Sequence, residues 1–153
     1  MCRDDLAAVM VVERLAHPYP WTPGVMAGCL RNGYYCALME LTEQPDKAPG
    51  SEIIGYGVMS RGGGEAHIQN LCIIPPRQRQ GLGRKLLQHL LDQLDPARVD
   101  SVFLEVRSSN RAALTLYDEM GFRETGLREG YYPTAKGRED AVVLWRDVRG
   151  SWG

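Results

Sequence analysis

The residues able to do chemistry in this sequence fall in a few short runs. The first is Arg77-Gln78-Arg79-Gln80-Gly81-Leu82-Gly83-Arg84. Glycines let a main chain approach a ligand closely, and the N–H groups at the start of a helix, reinforced by its dipole, bind a pyrophosphate. Arg79 and Arg84 add positive charge to the same turn. Two common nucleotide motifs do not fit it. A Walker A loop needs Lys and then Ser or Thr after its last glycine, where Arg84-Lys85-Leu86 stands, and a dinucleotide fingerprint needs a third glycine at the position of Leu86. Taken alone, the run reads rather as a glycine-containing loop before a solvated, basic helix start.

Glu105 and Tyr117 are a carboxylate and a phenol of the kinds used in proton transfer. Each also has a structural reading. Glu105 reads as a surface strand carboxylate paired with Arg107 on the same face, and Tyr117 as a core aromatic beside Ala113 and Met120 at helical spacing. Trp21, Tyr131 and Tyr132 are either packing residues or an aromatic grip for an extended peptide. His17, His67 and His89 show neither metal-ligand nor triad spacing. The four cysteines, Cys2, Cys29, Cys36 and Cys72, form no C-x-x-C pair, so no zinc knuckle or redox couple is implied and they read as reduced, mostly buried thiols. Cys72 lies in an apolar run with no histidine nearby in sequence to activate it as an acyl carrier.

These residues need a scaffold, and apolar periodicity supplies one. Asp4 or Asp5 caps a helix through Leu6, Val9, Met10 and Glu13, broken at His17-Pro18-Tyr19-Pro20-Trp21. Thr22-Pro23 starts a second, short helix ending near Asn32-Gly33. Residues 34–41, 53–60 and 67–74 read as strands, with a Pro- and charge-containing loop at 42–51 and a turn at Gly62-Gly63-Gly64. Leu86, Leu87, Leu90, Leu91 and Leu94 then form one helical stripe, ended by Asp95-Pro96. Residues 102–107 form a strand with Val102, Leu104 and Val106 on one face and Phe103, Glu105 and Arg107 on the other. A helix runs from Asn110 as N-cap to Met120, stopped by Gly121. Two strands, 122–128 and 141–147, flank an irregular loop at 129–140. The order describes an α/β (α+β) chain with a mixed sheet.

A chain of 153 residues suits one domain. Its formal net charge of −1, from 18 Lys+Arg and 19 Asp+Glu, offers no field for nucleic acid or an anionic membrane. The sequence contains no apolar stretch of membrane-spanning length and no signal-peptide core at its start, so a cytoplasmic protein is expected.

The pattern Gln78-x-x-Gly81-x-Gly83 after a strand resembles the pyrophosphate turn of the GNAT superfamily of N-acetyltransferases. Further segments narrow the resemblance: Asn70-Leu71-Cys72-Ile73, Leu104-Glu105-Val106-Arg107-Ser108-Ser109-Asn110 with Leu116-Tyr117 and Gly121-Phe122, and Tyr131-Tyr132-Pro133-Thr134-Ala135-Lys136-Gly137-Arg138-Glu139-Asp140-Ala141. With His17-Pro18-Tyr19-Pro20-Trp21, they are similar to the bacterial ribosomal-protein alanine N-acetyltransferases, the RimI type, over residues 5–144. Two departures stand out. Only Met1-Cys2-Arg3 precedes Asp4, so the usual first edge strand is either absent or upstream, and Ile74 stands where relatives carry Asp or His before the proline.

The resemblance implies a GNAT fold over residues 1–153: a central, mostly antiparallel sheet with about four helices. It implies acetyl-CoA as co-substrate and no metal. Leu71, Cys72 and Ile73 would pair main-chain groups with the pantetheine arm, Arg79, Gln80, Gly81, Leu82, Gly83 and Arg84 would cradle the phosphates, and Asn110 would bind the arm. Glu105 becomes the general base, directly or through water, Tyr117 the acid that protonates sulfur, and an N–H near Cys72 the oxyanion contact. Trp21, Tyr131 and Tyr132 would hold the acceptor, expected to be the N-terminal segment of ribosomal protein S18. Acetylation of another amine (lysine, polyamine or small molecule) and a non-catalytic acyl-CoA-binding module are the competing readings.

Overall fold

The computed structural model describes residues 1–41 and 52–148, so the loop expected at 42–51 lies outside them. A 3-10 turn, Arg3–Asp5, leads into helix α1, Leu6–Ala16. The expected cap at Asp5 acts one step early: its carboxylate accepts the Cys2 N–H at 2.7 Å, closing the turn, and makes no side-chain cap bond to α1. Helix α2, Pro23–Arg31, starts as expected, with Thr22 Oγ1 taking the Val25 N–H at 3.2 Å and Pro23 in the first turn, where a missing N–H costs no hydrogen bond. Strands β1, Tyr35–Leu41, β2, Glu52–Gly62, and β3, Glu65–Ile73, follow, then α3, Leu82–Asp92, β4, Ser101–Arg107, α4, Arg111–Glu119, β5, Arg123–Thr134, and β6, Gly137–Asp147.

The strands form a six-stranded sheet in the order β1-β2-β3-β4-β6-β5. The β1/β2, β4/β6 and β5/β6 ladders are antiparallel and the β3/β4 ladder is parallel, which is the mixed, mostly antiparallel sheet expected. Four α-helices accompany it among the described residues. By contacts the chain divides into two compact units, Met1–Ser60 with Asn70–Leu90, and Arg61–Gln69 with Leu91–Gly153.

In the first unit, Val9, Met10 and Val12 of α1 and Met26 and Cys29 of α2 pack with Ile54, Tyr56 and Val58 of β2 and with Cys72 and Ile74. Of the α3 stripe, Leu86, Leu87 and Leu90 are buried. Two glycines of β2 set how closely its neighbours approach. A Cβ on Gly55 would lie 2.5 Å from Ile73 Cδ1 and 2.6 Å from Cys72 O, and one on Gly57 would lie 2.8 Å from Leu90 Cδ1.

In the second unit, β4 alternates as its sequence requires, with Val102, Leu104 and Val106 buried. Asn110 Oδ1 accepts the Ala113 N–H at 3.1 Å to cap α4, and Gly121 at φ 88° ends the helix in the left-handed region. One expectation is corrected. Residues 129–140 are not an irregular loop: β5 and β6 run through them as a hairpin, pairing Tyr132 with Glu139, Pro133 with Arg138 and Thr134 with Gly137. Apolar alternation does not mark this hairpin, because polar side chains hold it. Asp140 Oδ1 takes the Gly130 N–H at 3.0 Å across a break in register between Arg128 and Tyr132, and Arg138 Nη2 donates to Tyr131 O at 3.2 Å.

Gly55→Ala should lower the melting temperature by several degrees, in line with the roughly 1–3 kcal/mol typical of overpacking, because main-chain Cys72 cannot swing aside like a flexible side chain. Gly126→Ala, where a Cβ meets nothing within 4 Å, should leave it nearly unchanged. Thermal denaturation followed by circular dichroism checks both.

Candidate active site

The turn between β3 and α3 carries the residues expected to cradle the phosphates. Arg79 sits at φ 64° and Gly81 at φ 77°, two left-handed residues in three, which turn the chain sharply into α3. Lys85 N–H donates to Gly81 O at 3.2 Å, so the amides of Leu82, Gly83 and Arg84 precede the first helical bond. Gln78 does not share this role. Its side-chain amide donates to Ile73 O at 2.9 Å and pins the turn to the end of β3.

Next to β3 in the first unit lies a buried polar knot that the sequence reading did not single out. Glu13, 1 % exposed, accepts from Trp21 N–H at 2.8 Å, Tyr56 Oη–H at 2.8 Å and Asn70 Nδ2 at 3.2 Å, with His17 Nε2 at 3.2 Å. The signal for it was present, since a carboxylate at Glu13 falls on the apolar stripe of α1. The knot ties the main chain of Trp21, a candidate peptide contact, to β2 and β3. Trp21 itself packs, half-buried, against the first unit's core.

Glu13, His17 and Cys72 also offer ligand atoms within 4.8 Å of one another, a donor set chemically suited to zinc that their sequence spacing did not suggest. Protein donors already occupy both oxygens of Glu13. Burial, and then the charge of Glu13, push the Cys72 thiol up to about 12, so Cys72 is a protonated thiol at neutral pH and a poor nucleophile. Cys29 is likewise buried, Cys36 half-buried and Cys2 exposed, all as free thiols.

The second unit holds Glu105, Asn110, Tyr117, Tyr131 and Tyr132. The partners of Glu105 are not those of its surface-carboxylate reading. Its Oε2 meets His67 Nε2 at 2.5 Å and its Oε1 meets Arg128 Nε at 3.3 Å. Residues two apart on a strand share a face but lie roughly 7 Å apart, so His67 on the adjacent β3 and the long side chain of Arg128, reaching from β5 beyond β6, win. Arg107 instead donates from Nη1 to Pro133 O at 2.8 Å and to Glu139 Oε1 at 2.9 Å, and its guanidinium lies 4.6 Å from the centre of the Tyr132 ring.

The hydrogen bond from His67 is the main reason the Glu105 carboxyl lies below its ordinary range; burial opposes it, and the charges of His67 and Arg128 add to it. Tyr132 is pushed the other way, up to about 12, chiefly by burial and then by Tyr131 and Glu105, so it remains a neutral phenol. Tyr131 is exposed and meets Tyr132 edge-on at 4.9 Å. Tyr117 is buried on α4 with its ring edge-on to Phe122 at 5.7 Å, so its core-packing reading is realised whatever else it does. The cap reading of Asn110 is realised too. Glu139 Oε2 takes the Ser109 N–H at 3.3 Å and so fixes the link from β4 into α4.

A family model described as the Acetyltransferase (GNAT) family matches residues 13–122. The [ribosomal protein bS18]-alanine N-acetyltransferase of Escherichia coli strain K12 is 38 % identical over 140 residues, 92 % of this chain and 89 % of that protein. The N-alpha-acetyltransferase RimI of Mycobacterium tuberculosis is 40 % identical over 102 residues, 64 % of this chain and 61 % of its own. The crystal structure of the ribosomal-protein-S18-alanine N-acetyltransferase from Escherichia coli superposes with a TM-score of 0.84 at 36 % identity, covering 97 % of this chain and 90 % of that one. Arabidopsis thaliana NAA60 in complex with acetyl-CoA shares the fold at a TM-score of 0.80 and 18 % identity, covering 98 % and 97 %.

The environment of Glu105 sets the sign of a pH effect. Its folded-state pKa is depressed, so the stability its ionisation contributes is complete above the ordinary carboxylate range and is lost as pH falls through the lowered value. Arg128→Gln should move that loss to higher pH. A carbon-13 NMR titration of the glutamate carboxyls would show it as an upward displacement of the Glu105 midpoint, and an unmoved midpoint would contradict the assignment.

Proposed function

The chain belongs to the acetyltransferase (GNAT) family, and from that premise we propose that it transfers acetyl from acetyl-CoA to the N-terminal α-amine of a protein, namely the N-terminal alanine of ribosomal protein S18. The observation that carries this reading is the way the two narrowest motif segments fold together. Arg107 and Ser109 of the first segment and Tyr132, Pro133 and Glu139 of the second belong to one hydrogen-bonded, charge-matched cluster, and the charge of Glu105 helps hold Tyr132 neutral. Likeness along nearly the whole chain to alanine N-acetyltransferases supports it. Residues 1–153 act as one acetyltransferase domain, in the cytoplasm where ribosomal proteins are made.

In this reading the amides of the turn at Arg79, Gln80, Gly81, Leu82, Gly83 and Arg84 take the pyrophosphate, and its arginines supply charge. Leu71, Cys72 and Ile73 offer main-chain groups to the pantetheine arm, with Asn110 contributing its remaining amide hydrogens, since its oxygen already caps α4. An N–H near Cys72 steadies the tetrahedral oxyanion. Trp21, Tyr131 and Tyr132 hold the acceptor peptide.

An α-amine has an ordinary pKa of about 7.7 to 8.0, so roughly a tenth is neutral at pH 7, whereas a lysine side chain near 10.4 is almost wholly charged. One carboxylate-centred base, at Glu105, therefore suffices for an N-terminal acceptor. Tyr117 protonates the departing thiolate. Attack is direct, in a ternary complex, because the Cys72 thiol is held protonated.

Acetyl-CoA and a peptide with the N-terminal sequence of S18 should yield one added acetyl on the α-amine by mass spectrometry. A lysine side chain acetylated equally well would remove the N-terminal assignment and leave the family one. Glu105→Gln and Tyr117→Phe should each lower kcat by about 10²- to 10⁴-fold while acetyl-CoA affinity, read by calorimetry, stays within error. Wild-type turnover in both variants would remove their roles.

A further inference from the structure

The parallel register of β3 with β4 sets His67 opposite Phe103, and on a pleated sheet Glu105, two places further on, shares that face. The imidazole Nε2 reaches Glu105 Oε2, and Arg128 holds the other carboxylate oxygen. Both oxygens of Glu105 thus already serve protein donors. The carboxylate side chain is 9 % exposed and the imidazole 35 % exposed. The second ring nitrogen of His67, Nδ1, has no protein partner among the described residues.

We propose that His67 is the proton acceptor for the incoming α-amine, and that Glu105 is the carboxylate that fixes its tautomer and stabilises the imidazolium. This rests on the acetyltransferase reading above and refines the part Glu105 plays in it. A ring nitrogen aimed at a carboxylate carries the hydrogen, so Nε2–H donates to Glu105 and Nδ1 keeps its lone pair for a substrate proton. The donors around Glu105 make it a poor terminal base. The hydrogen bond from His67, with the charge of Arg128, holds its carboxyl below the usual carboxylate value, which weakens it as an acceptor for the proton of an amine.

The charged and titratable groups around the pair do not compete for this proton. Arg107 on β4 is matched by Glu139 on β6, Tyr132 on β5 stays a neutral phenol, and Arg128 on β5 is met by Glu105 itself.

The step balances. An N–H bond of the substrate ammonium breaks and its proton moves to Nδ1. The freed lone pair forms the N–C bond at the thioester carbonyl, and the C–S bond breaks with its electron pair on sulfur. Tyr117 protonates that sulfur and recovers a proton from the new amide nitrogen. The imidazolium then releases one proton to water.

Steady-state kinetics across about pH 5 to 9, with acetyl-CoA and an alanine-starting peptide, separate the roles. His67→Gln keeps a side-chain donor for Glu105, and His67→Asn with circular dichroism on both controls for folding. The expected result is a roughly hundredfold loss of kcat, an unchanged KM for acetyl-CoA, loss of the acid limb of the pH profile, and partial recovery with added imidazole. His67→Gln at wild-type rate, or slowed with the acid limb intact and no recovery by imidazole, would overturn the proposal. Glu105→Gln then tells the two levels apart: if it is inactive while His67→Gln is not, the carboxylate is the base and the acetyltransferase reading stands. If both turn over normally, the role given to Glu105 falls as well.

Discussion

A carboxylate taken out of water must be given hydrogen-bond donors, and each unit of this chain is arranged around one. The penalty for leaving such a charge bare runs to several kcal/mol, larger than most single contacts in a domain, so whatever surrounds it is constrained first. In the first unit Glu13 draws in the Trp21 main chain, Tyr56 and Asn70, which connects the α1–α2 link with β2 and β3. In the second, Glu105 is shared between His67 on β3 and Arg128 on β5. Secondary elements could slide past one another over a purely apolar interface at modest cost. They cannot do so here without stranding a charge.

The same logic explains why so narrow a sequence signature is needed near the hairpin of β5 and β6. Arg138 serves main-chain oxygens, Glu139 joins Arg107 to the Ser109 amide, and Asp140 holds the Gly130 amide across a break in register. These residues fix the hairpin of β5 and β6 and the entry into α4. A motif associated with one chemistry is here largely a set of braces, and exchange of any brace leaves a main-chain or charged group unpaired.

Division of labour is also clear at the turn before α3. Gln78, the first letter of the phosphate-binding pattern, fastens the loop to Ile73, and the left-handed residues Arg79 and Gly81 aim the main chain. What the pattern specifies here is the direction the main chain takes into α3.

Much of this was legible without coordinates. The α-helices of the described residues, the alternating face of β4, the Thr22 and Asn110 caps and the glycine turns follow from interactions spanning a few residues, which is the range over which periodicity and capping act. The hairpin through 129–140 was missed because polar bonds rather than apolar alternation hold it together. Long-range pairing decided the rest. His67 and Glu105 are 38 residues apart and Glu13 and Asn70 are 57 apart, and which polar groups share a buried space depends on strand register and on the approach of elements distant in the chain. A local pattern can say that Glu105 faces the same way as Arg107. Only the parallel ladder of β3 and β4 says that its partner is an imidazole.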